Sequence, residues 1–382
     1  MHKIKVGVSI SLSGRYEIQG RESFEGLLLW TEEINKSGGI FVKQYGKRIP
    51  VELIHYDDRS SAEECTELVE RLISRDRVDI LIGPYSSGLT LAAAPVSERH
   101  EKILWNHGGA TDEIFEKGFN YVVSAISPAS EYFDGMIEMV RKIDSQAKRI
   151  AIFRAEDSGF SGMVSDGARR FAATYGFDVT EFRYRSDTQD FSSLLGRAKE
   201  YNPDLILGAG RMEDDLLLAR QILEKGVHAN GIGLIAASIK EFQRVLGEQA
   251  EGFLAPSQWE QGIRVKPGFG PTPDEFSAAF KARYGKSPDY TAAQSYNIGL
   301  IIQRSIEETG TIEGSVLRDW AHRADFNTFY GHFRVDPASG KQIGHEVLVI
   351  QWQAGNKLIV YPQGLAETRP IYPKSMASVV YF

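Results

Sequence analysis

The residues best suited to chemistry in this chain are small, polar and clustered beside glycine. Ser11-Leu12-Ser13-Gly14, Gly83-Pro84-Tyr85-Ser86-Ser87-Gly88 and Asn106-His107-Gly108-Gly109-Ala110-Thr111 lie in the first part of the chain. Ala155-Glu156-Asp157-Ser158-Gly159-Phe160 and Gly208-Ala209-Gly210-Arg211-Met212 occupy comparable places further on. A serine at a helix N-terminus can give its hydroxyl to a ligand while backbone N–H groups and the helix dipole favour negative charge there, so Ser86 and Ser87 suit a small carboxylate. The competing reading is that one of them simply caps the helix. Gly108 and Gly109 allow backbone N–H groups to approach a ligand closely, or make a plain tight turn. Tyr16, Phe160, Trp259 and Tyr290 are candidate aromatic walls, against ordinary packing for each. Arg211 would pair with an anionic ligand group if it faced a cleft, and otherwise reads as a surface cation.

Signatures of catalysis are missing. No G-x-x-x-x-G-K-[ST], G-x-S-x-G, H-E-x-x-H or C-x-x-C is present. The 83–88 segment has the wrong spacing for a nucleophile elbow. The eight histidines are scattered, and His107 alone sits in a glycine-rich turn. Asp57-Asp58 could bind a metal, but a solvated or hinge-side carboxylate pair is the expected outcome. Asn35-Lys36-Ser37 fits a glycosylation sequon, too common a pattern to use. Nothing supports an enzyme, and no metal or organic cofactor is implied.

The elements that must position these segments alternate. Ile4 to Ile10 reads as a buried strand, followed by a helix through Phe24, Leu27, Leu28 and Ile34 that Ser37-Gly38-Gly39 stops. Strands at 51–56, 78–82 and 103–105 alternate with helices at 62–74 and 87–99. The pattern restarts after Tyr121: strands at 149–153, 177–184, 205–207 and 232–235, with helices from 157 to 171, 190 to 201 and 216 to 223. Helices near 273–284, 291–308 and 313–323 and strands near 329–335, 346–353 and 357–361 complete the chain. Alternation of this kind predicts parallel sheets covered by helices. A restart after about 120 residues predicts two doubly wound α/β lobes rather than one barrel. In open α/β sheets, ligands bind beyond the carboxyl ends of the strands, where every polar segment named above falls.

The 382 residues allow two or three domains at roughly 150 residues each. Hydrophobic residues at 42% and charged residues at 25% exclude a disordered or collagen-like chain. A net charge of −7 with no Lys/Arg run argues against nucleic-acid binding. Cys65 is the only cysteine, so no internal disulfide forms. No apolar run approaches the roughly 20 residues of a membrane span, and no signal-peptide h-region follows Met1-His2-Lys3. The expectation is a cytoplasmic protein, or a mature form whose signal has been replaced by a start methionine.

The residues also carry a resemblance. Ile4-Lys5-Val6-Gly7-Val8 with Leu12-Ser13-Gly14, Glu33-Ile34-Asn35-Lys36-Ser37-Gly38-Gly39-Ile40, His55-Tyr56-Asp57-Asp58, Ile80-Leu81-Ile82-Gly83-Pro84-Tyr85-Ser86-Ser87, Lys148-Arg149-Ile150-Ala151-Ile152, Asp190-Phe191-Ser192, Ala250-Glu251-Gly252-Phe253 and Val349-Ile350-Gln351-Trp352 stand in the order and spacing of one family. The chain resembles the type I periplasmic solute-binding proteins of ABC importers, specifically the leucine/isoleucine/valine-binding family. That resemblance implies two Rossmann-like lobes joined by three hinge crossovers near Val122–Ala125, Glu251–Phe253 and Gly331–Val335, with a ligand trapped in the cleft as the lobes close. Lobe one would be 1–121 plus 254–331, lobe two 125–250 plus 335–362, and 363–382 a tail wrapping a lobe.

By the same resemblance, Ser87 is the carboxylate-binding serine and Tyr85 supplies backbone contact. Gly108, Gly109, Ala110 and Thr111 form the next carboxylate-binding loop, and Phe160 is the aromatic that covers the ligand from lobe two. Ser13, Tyr16, Ser86, Asn106, Ser158, Arg211, Ala236, Ser238, Trp259 and Tyr290 complete the expected ligand shell. Two departures matter. The family's acidic residue after the 232–235 strand, which holds an α-ammonium, is replaced by Ala236-Ala237-Ser238, and a family tyrosine falls on Arg211. A carboxylate ligand without an ammonium, such as an aromatic or keto acid, then competes with an amino acid, unless Glu156, Asp157 or Glu213 supplies the anion. The expected partner is an ABC permease, the expected location periplasmic or lipid-anchored outside the cell, and the expected state a monomer, with pairing through lobe one as the alternative. The competing function is a cytoplasmic ligand sensor of the amide-binding regulator type. A LacI-like repressor shares the fold but would need a helix-turn-helix before Ile4.

Overall fold

A strand buried on both faces needs no polar side, and the first strand is built that way. In β1 (Ile4–Ile10), Ile4, Val6, Val8 and Ile10 are wholly buried, and so is Ser9 between them. The structure, a computed structural model, describes residues 2–374. After β1 come α1 (Glu17–Lys36), a hairpin of β2 (Ile40–Val42) and β3 (Lys47–Ile49), β4 (Val51–Asp57), α2 (Ala62–Ser74), β5 (Ile80–Ile82), α3 (Ser87–Arg99), β6 (Leu104–Asn106), α4 (Glu113–Glu116) and β7 (Val122–Ser124). The next stretch holds α5 (Asp134–Ile143), β8 (Arg149–Ala155), α6 (Gly159–Thr174), β9 (Asp178–Tyr184), α7 (Ser192–Tyr201), β10 (Leu205–Ala209), α8 (Met212–Glu224), β11 (Gly231–Leu234), α9 (Lys240–Leu246) and β12 (Leu254–Ser257). The last holds α10 (Pro273–Tyr284), α11 (Tyr290–Thr309), α12 (Gly314–Ala321), β13 (Phe326–Asn327), β14 (His332–Phe333), β15 (Leu348–Gln353) and β16 (Asn356–Tyr361).

The chain divides into two units. The first runs to Pro128 and takes in Arg264–Glu346. Its sheet has the order β4-β1-β5-β6-β7, every pair parallel. Right-handed crossovers put the helix leading left from β1 on one face and those leading right on the other. Accordingly α1 packs with α11, and α2 packs with α3. Gly26 and Gly299 make the first of these contacts possible. A Cβ on Gly26 would meet the Ala292 carbonyl at 2.2 Å, and one on Gly299 would meet the Trp30 ring at 2.4 Å. The strand order reverses between β1 and β5, so the loops after those strands form the unit's switch point.

The second unit takes in Ala129–Ile263 and continues from Val347. Its sheet has the order β16-β15-β12-β11-β10-β8-β9, parallel from β12 to β9, with β15 and β16 antiparallel at one edge. Its switch point lies between β8 and β10.

Each passage between units comes later than the sequence suggested. The first falls after Pro128, because β7 pairs with β6 as the edge of the first sheet. The second falls after Ile263, because β12 hydrogen-bonds to β15 in the second sheet, so 254–263 do not belong with lobe one. The third falls after Glu346. Val335 bridges Gln342, Ser124 N–H donates to the Gly340 carbonyl, and Lys341 pairs with Asp112, which keeps 335–346 in the first unit. The expected strand at 329–335 is reduced to the two-residue β14, paired with β13. The tail packs on the second unit. Ile371 N–H donates to Gln351 Oε1, and Lys374 N–H to the Asn230 carbonyl. The part of the expected tail beyond 374 lies outside the described residues.

Candidate functional site

In the first unit, Ser86 and Ser87 divide the two roles that the sequence left open. Ser86 is the N-cap of α3, its Oγ accepting from Leu89 N–H at 3.3 Å, and it holds φ at +98°. Ser87 is thereby released from capping. Its Oγ accepts the N–H groups of Ala110 (3.2 Å) and Thr111 (3.0 Å). An oxygen that accepts twice has its own proton left to donate. The Thr111 hydroxyl, buried beside it, has no partner among the described residues.

The loop that carries Thr111 is held from within. Asn106, wholly buried, accepts from Gly108 N–H and Gly109 N–H through Oδ1 and donates to the Gly109 carbonyl and Ser124 Oγ through Nδ2. The amides of 108–111 are therefore all used inside the protein, and hydroxyls rather than backbone N–H groups are left to meet a ligand. Asn106 itself is a scaffold. The two glycines are required by close neighbours: a Cβ on Gly108 would lie 2.6 Å from Tyr85 Cα in the preceding loop, and one on Gly109 would lie 2.3 Å from Thr90 Oγ1 in α3. His107 is fully buried with both ring nitrogens unpartnered among the described residues, and burial pushes its pKa down to about 4.

Three tyrosines gather at the same switch point. The Tyr85 and Tyr290 hydroxyls are 3.0 Å apart, and Tyr16 meets the Tyr85 ring edge-on at 6.0 Å. Burial pushes the Tyr85 phenol up to about 12. Ser13 is turned inward, donating to Asp57 Oδ2 at 2.7 Å. The Asp57-Asp58 pair ties the β1 exit to the β4 exit. Asp57 also accepts Leu12 N–H, and Asp58 accepts the Ser9 and Ser11 hydroxyls. Asp58 is wholly buried rather than solvated, and burial raises its pKa. Among the described residues, no group of three or more His, Cys, Asp or Glu could hold a metal ion. Cys65 is a core thiol, pushed up to about 12 by burial.

In the second unit, Ser158 caps α6, accepting from Ser161 N–H at 3.3 Å. Ser161 accepts Ala155 N–H and donates to the Ala209 carbonyl, which joins the two switch-point loops. Phe160 is partly exposed and packs edge-on against Tyr132 at 5.6 Å. Trp259, expected to form an aromatic wall, is a core side chain with 1% exposure, since the segment after β12 stays in this unit. Ala236 and Ser238 are also buried. Ala236 N–H donates to Asp215 Oδ2 at 2.9 Å, and the Ser238 carbonyl accepts from Lys357 Nζ at 2.7 Å. Lys357 in turn makes a buried ion pair with Glu260 at 3.0 Å.

Arg211 stands at the N-terminus of α8, in a setting the sequence reading did not foresee. α8 starts at Met212, not Leu216, so Glu213, Asp214 and Asp215 form its first turn, where carboxylates offset the dipole. Asp214 Oδ2 accepts Arg211 N–H at 3.1 Å. Asp215, fully buried, accepts Gly210 N–H at 3.1 Å as well as Ala236 N–H. Burial raises both carboxyls, well above the usual range for Asp215. Asp157, exposed nearby, is opposed by slight burial but held below its usual range by Ser186 and by the charge of Arg211. Arg211 thus sits among carboxylates, and the gain of positive charge inferred from replacing a tyrosine by arginine is cancelled locally. The acidic run at 213–215 is a helix-start signal that could have placed Asp214 and Asp215 in the first turn of α8.

Each unit is an open α/β sheet whose polar loops and capped helices gather at its switch point, the place where such sheets bind ligands. Residues 3–357 match the family model described as periplasmic binding protein, and the chain belongs to that family. It is 26% identical over 378 residues to the Leu/Ile/Val-binding protein homolog 7 of Brucella abortus (strain 2308), covering 95% of this chain and 92% of that one. It has the fold of the branched-chain amino acid transporter substrate-binding protein LivJ from Streptococcus pneumoniae in complex with isoleucine, at 20% identity and TM-score 0.79, over 94% of this chain and all of that one. It also has the fold of an ABC transporter solute-binding protein from R. palustris in complex with benzoate, at 17% identity and TM-score 0.76, over 98% of each. The resemblance to the branched-chain amino acid-binding family and the two-lobed α/β fold are thus established.

Proposed function

We infer that this chain binds a small carboxylate-bearing solute at its switch-point loops and delivers it to an ABC permease, without catalysing a reaction. The observation that carries the reading is the pair of hydroxyls at Ser87 and Thr111. One accepts two N–H groups and keeps its own proton to donate, the other has no partner among the described residues, and both are buried. Donors left unmet in a protein interior are costly unless a ligand meets them. The tyrosines at 16, 85 and 290 offer an aromatic surface beside that point, and Phe160 offers another on the second unit. The relatives named for leucine, isoleucine and valine, and the structural neighbours holding isoleucine and benzoate, support a carboxylate as the common ligand group. A ligand shifts a protein toward whichever of its states binds it better, and a permease can read that shift. On this reading the protein works outside the cytoplasmic membrane as a monomer.

The test is a thermal-shift and calorimetric panel of branched-chain and polar amino acids, short amides, and aromatic and keto acids. A true ligand at 100 times its dissociation constant adds about 2.7 kcal/mol of stability. Binding confined to uncharged amides would refute the carboxylate reading and favour the sensor.

A further inference from the structure

Two of the three passages leave the first unit within a hydrogen bond of each other. The chain departs after Pro128 and again after Glu346, and Ser127 and His345 stand just before those points. Both are buried, at 0% and 7% exposure. Ser127 Oγ donates to the His345 carbonyl at 3.0 Å and lies 2.9 Å from His345 Nδ1. A hydroxyl has one proton, so with that proton on the carbonyl the ring brings its own to Oγ. One serine thus ties both the backbone and the side chain of the later residue.

The imidazole is also held by its neighbours. It stacks on the Tyr330 ring, with 4.7 Å between centroids and 25° between planes. Gly331 makes room for it: its φ is +145°, and a Cβ there would lie 2.7 Å from His345 Cδ2. The backbone that carries His345 is gathered by Gln342, itself 1% exposed. Gln342 Oε1 accepts the N–H groups of Gly344 (2.8 Å), His345 and Arg334 (both 3.3 Å). Its Nε2 reaches the Ala125 carbonyl at 3.5 Å, and Ser124 N–H donates to the Gly340 carbonyl at 3.0 Å. A Cβ on Gly340 would lie 1.9 Å from the Val122 carbonyl, so this loop lies directly on β7. Residues 122–127 and 340–345 are therefore joined by buried polar contacts, although 217 positions separate Ala125 from Gln342. A satisfied buried network of this kind rigidifies the segments it joins and fixes one arrangement of them.

We propose that Ser127, His345 and Gln342 form a clasp that fastens the first and third passages into one rigid pair. Movement between the units then bends the chain beyond Pro128 and Glu346, in both passages at once, and the segments before those points stay fixed. His345 is a positioning residue, acting through Ser127 and through the backbone that Gln342 gathers. The clasp does not depend on which solute binds. A ligand that favours one state of the protein acts through a coupled pair of passages instead of two separate ones.

Amide exchange on the full chain, without ligand, tests the fastening. Ser127→Ala alters the first passage alone and removes both contacts to His345. Exchange should rise about tenfold at Gly344 and His345 in the third passage as well as at Ala125 and Ile126, as the loss of one to two buried hydrogen bonds requires, while the β1 amides keep their parent rates. His345→Phe keeps a ring against Tyr330, loses Nδ1 and should act alike. His345→Asn, whose amide nitrogen can stand where Nδ1 stands, should restore most of the protection. Movement is read from spin labels at Val316→Cys and Ile143→Cys, one exposed site on each unit, with Cys65 buried and out of reach of the label. The distance distribution should broaden with Ser127→Ala and with His345→Phe, and narrow again with His345→Asn. If Ser127→Ala speeds exchange at 125–126 alone, or equally throughout the first unit, or leaves the distance distribution unchanged, the two passages are not fastened together and the proposal is overturned.

Discussion

Replacing Ser87 by alanine in the ligand-free protein measures how firmly it holds the 108–111 loop. The side-chain oxygen accepts two amides, at 3.2 and 3.0 Å, from residues that are 3% and 1% exposed. Water does not readily reach either amide once the oxygen is gone. At about 1–1.5 kcal/mol for each lost hydrogen bond, the ligand-free protein should lose about 2–3 kcal/mol. The helix adds no further penalty, because Ser87 is the first residue of α3, Ser86 remains the cap, and alanine is the best helix former. For a unit of 150–250 residues, roughly 2–4 °C of melting temperature accompanies each kcal/mol, so the transition should fall by about 4–12 °C. Calorimetric scans without ligand measure this, and amide exchange at Ala110 and Thr111 localises it. A transition within about 1 °C of the parent, with unchanged exchange at both amides, would refute the assignment of Ser87 as the loop's anchor.

The neutral ring of His107 predicts a pH dependence. Burial places its pKa at about 4, against 6.5 for the exposed ring, so the unfolded chain takes up the proton first on acidification. That part of the stability is complete above about pH 6.5 and is lost as pH falls toward 4, by about 2 kcal/mol between pH 7 and pH 5. His107→Gln should therefore lose about 2 kcal/mol less than the parent over that interval in urea unfolding, and parallel losses would refute it. The buried Lys357–Glu260 pair, whose side chains are 6% and 8% exposed, predicts strong non-additivity. Lys357→Met alone leaves a buried carboxylate opposite an apolar chain and should cost about 3–5 kcal/mol, much of which Glu260→Gln should restore in the double variant. A double variant no better than the single one, measured by urea midpoint, would show that the pair does not act as a pair.

The fold was legible because its signals are local and repeated. Apolar runs such as Ile4–Ile10 and Leu205-Ile206-Leu207 announce strands, and glycine and serine breaks announce their exits. The unit boundaries were not legible, since pairing across the chain decides them. Nothing within Leu254-Ala255-Pro256-Ser257 says that its partner is Ser257↔Leu348 and Leu254↔Gln351. At the candidate site, the sequence names loops but not the direction of their groups. Asn106 and Ser13 have the composition of ligand-binding residues, yet both turn to neighbouring protein groups. Trp259 reads as a wall residue until the continuation of the second unit past β12 buries it. The acids of α8 were overlooked for a simpler reason: starting the helix at Leu216 cut off its acidic first turn.

The partition of the chain also sets a timetable for its synthesis. Trp30 in α1 is buried against Gly299 in α11, and Arg283 pairs with Glu32 at 2.9 Å, contacts that join segments about 250 residues or more apart. α1 can pack early on β1 and β4, but the side of it that meets α11 has no cover until residue 300 has been made, long after the Ala129–Ile263 segment. A nascent chain stopped at 263 would display the apolar face of α1 to solvent, to a holdase or to a secretion machine. The interruption of one unit by the other thus keeps the first unit unfinished, and open to handling, until Arg264–Glu346 has been made.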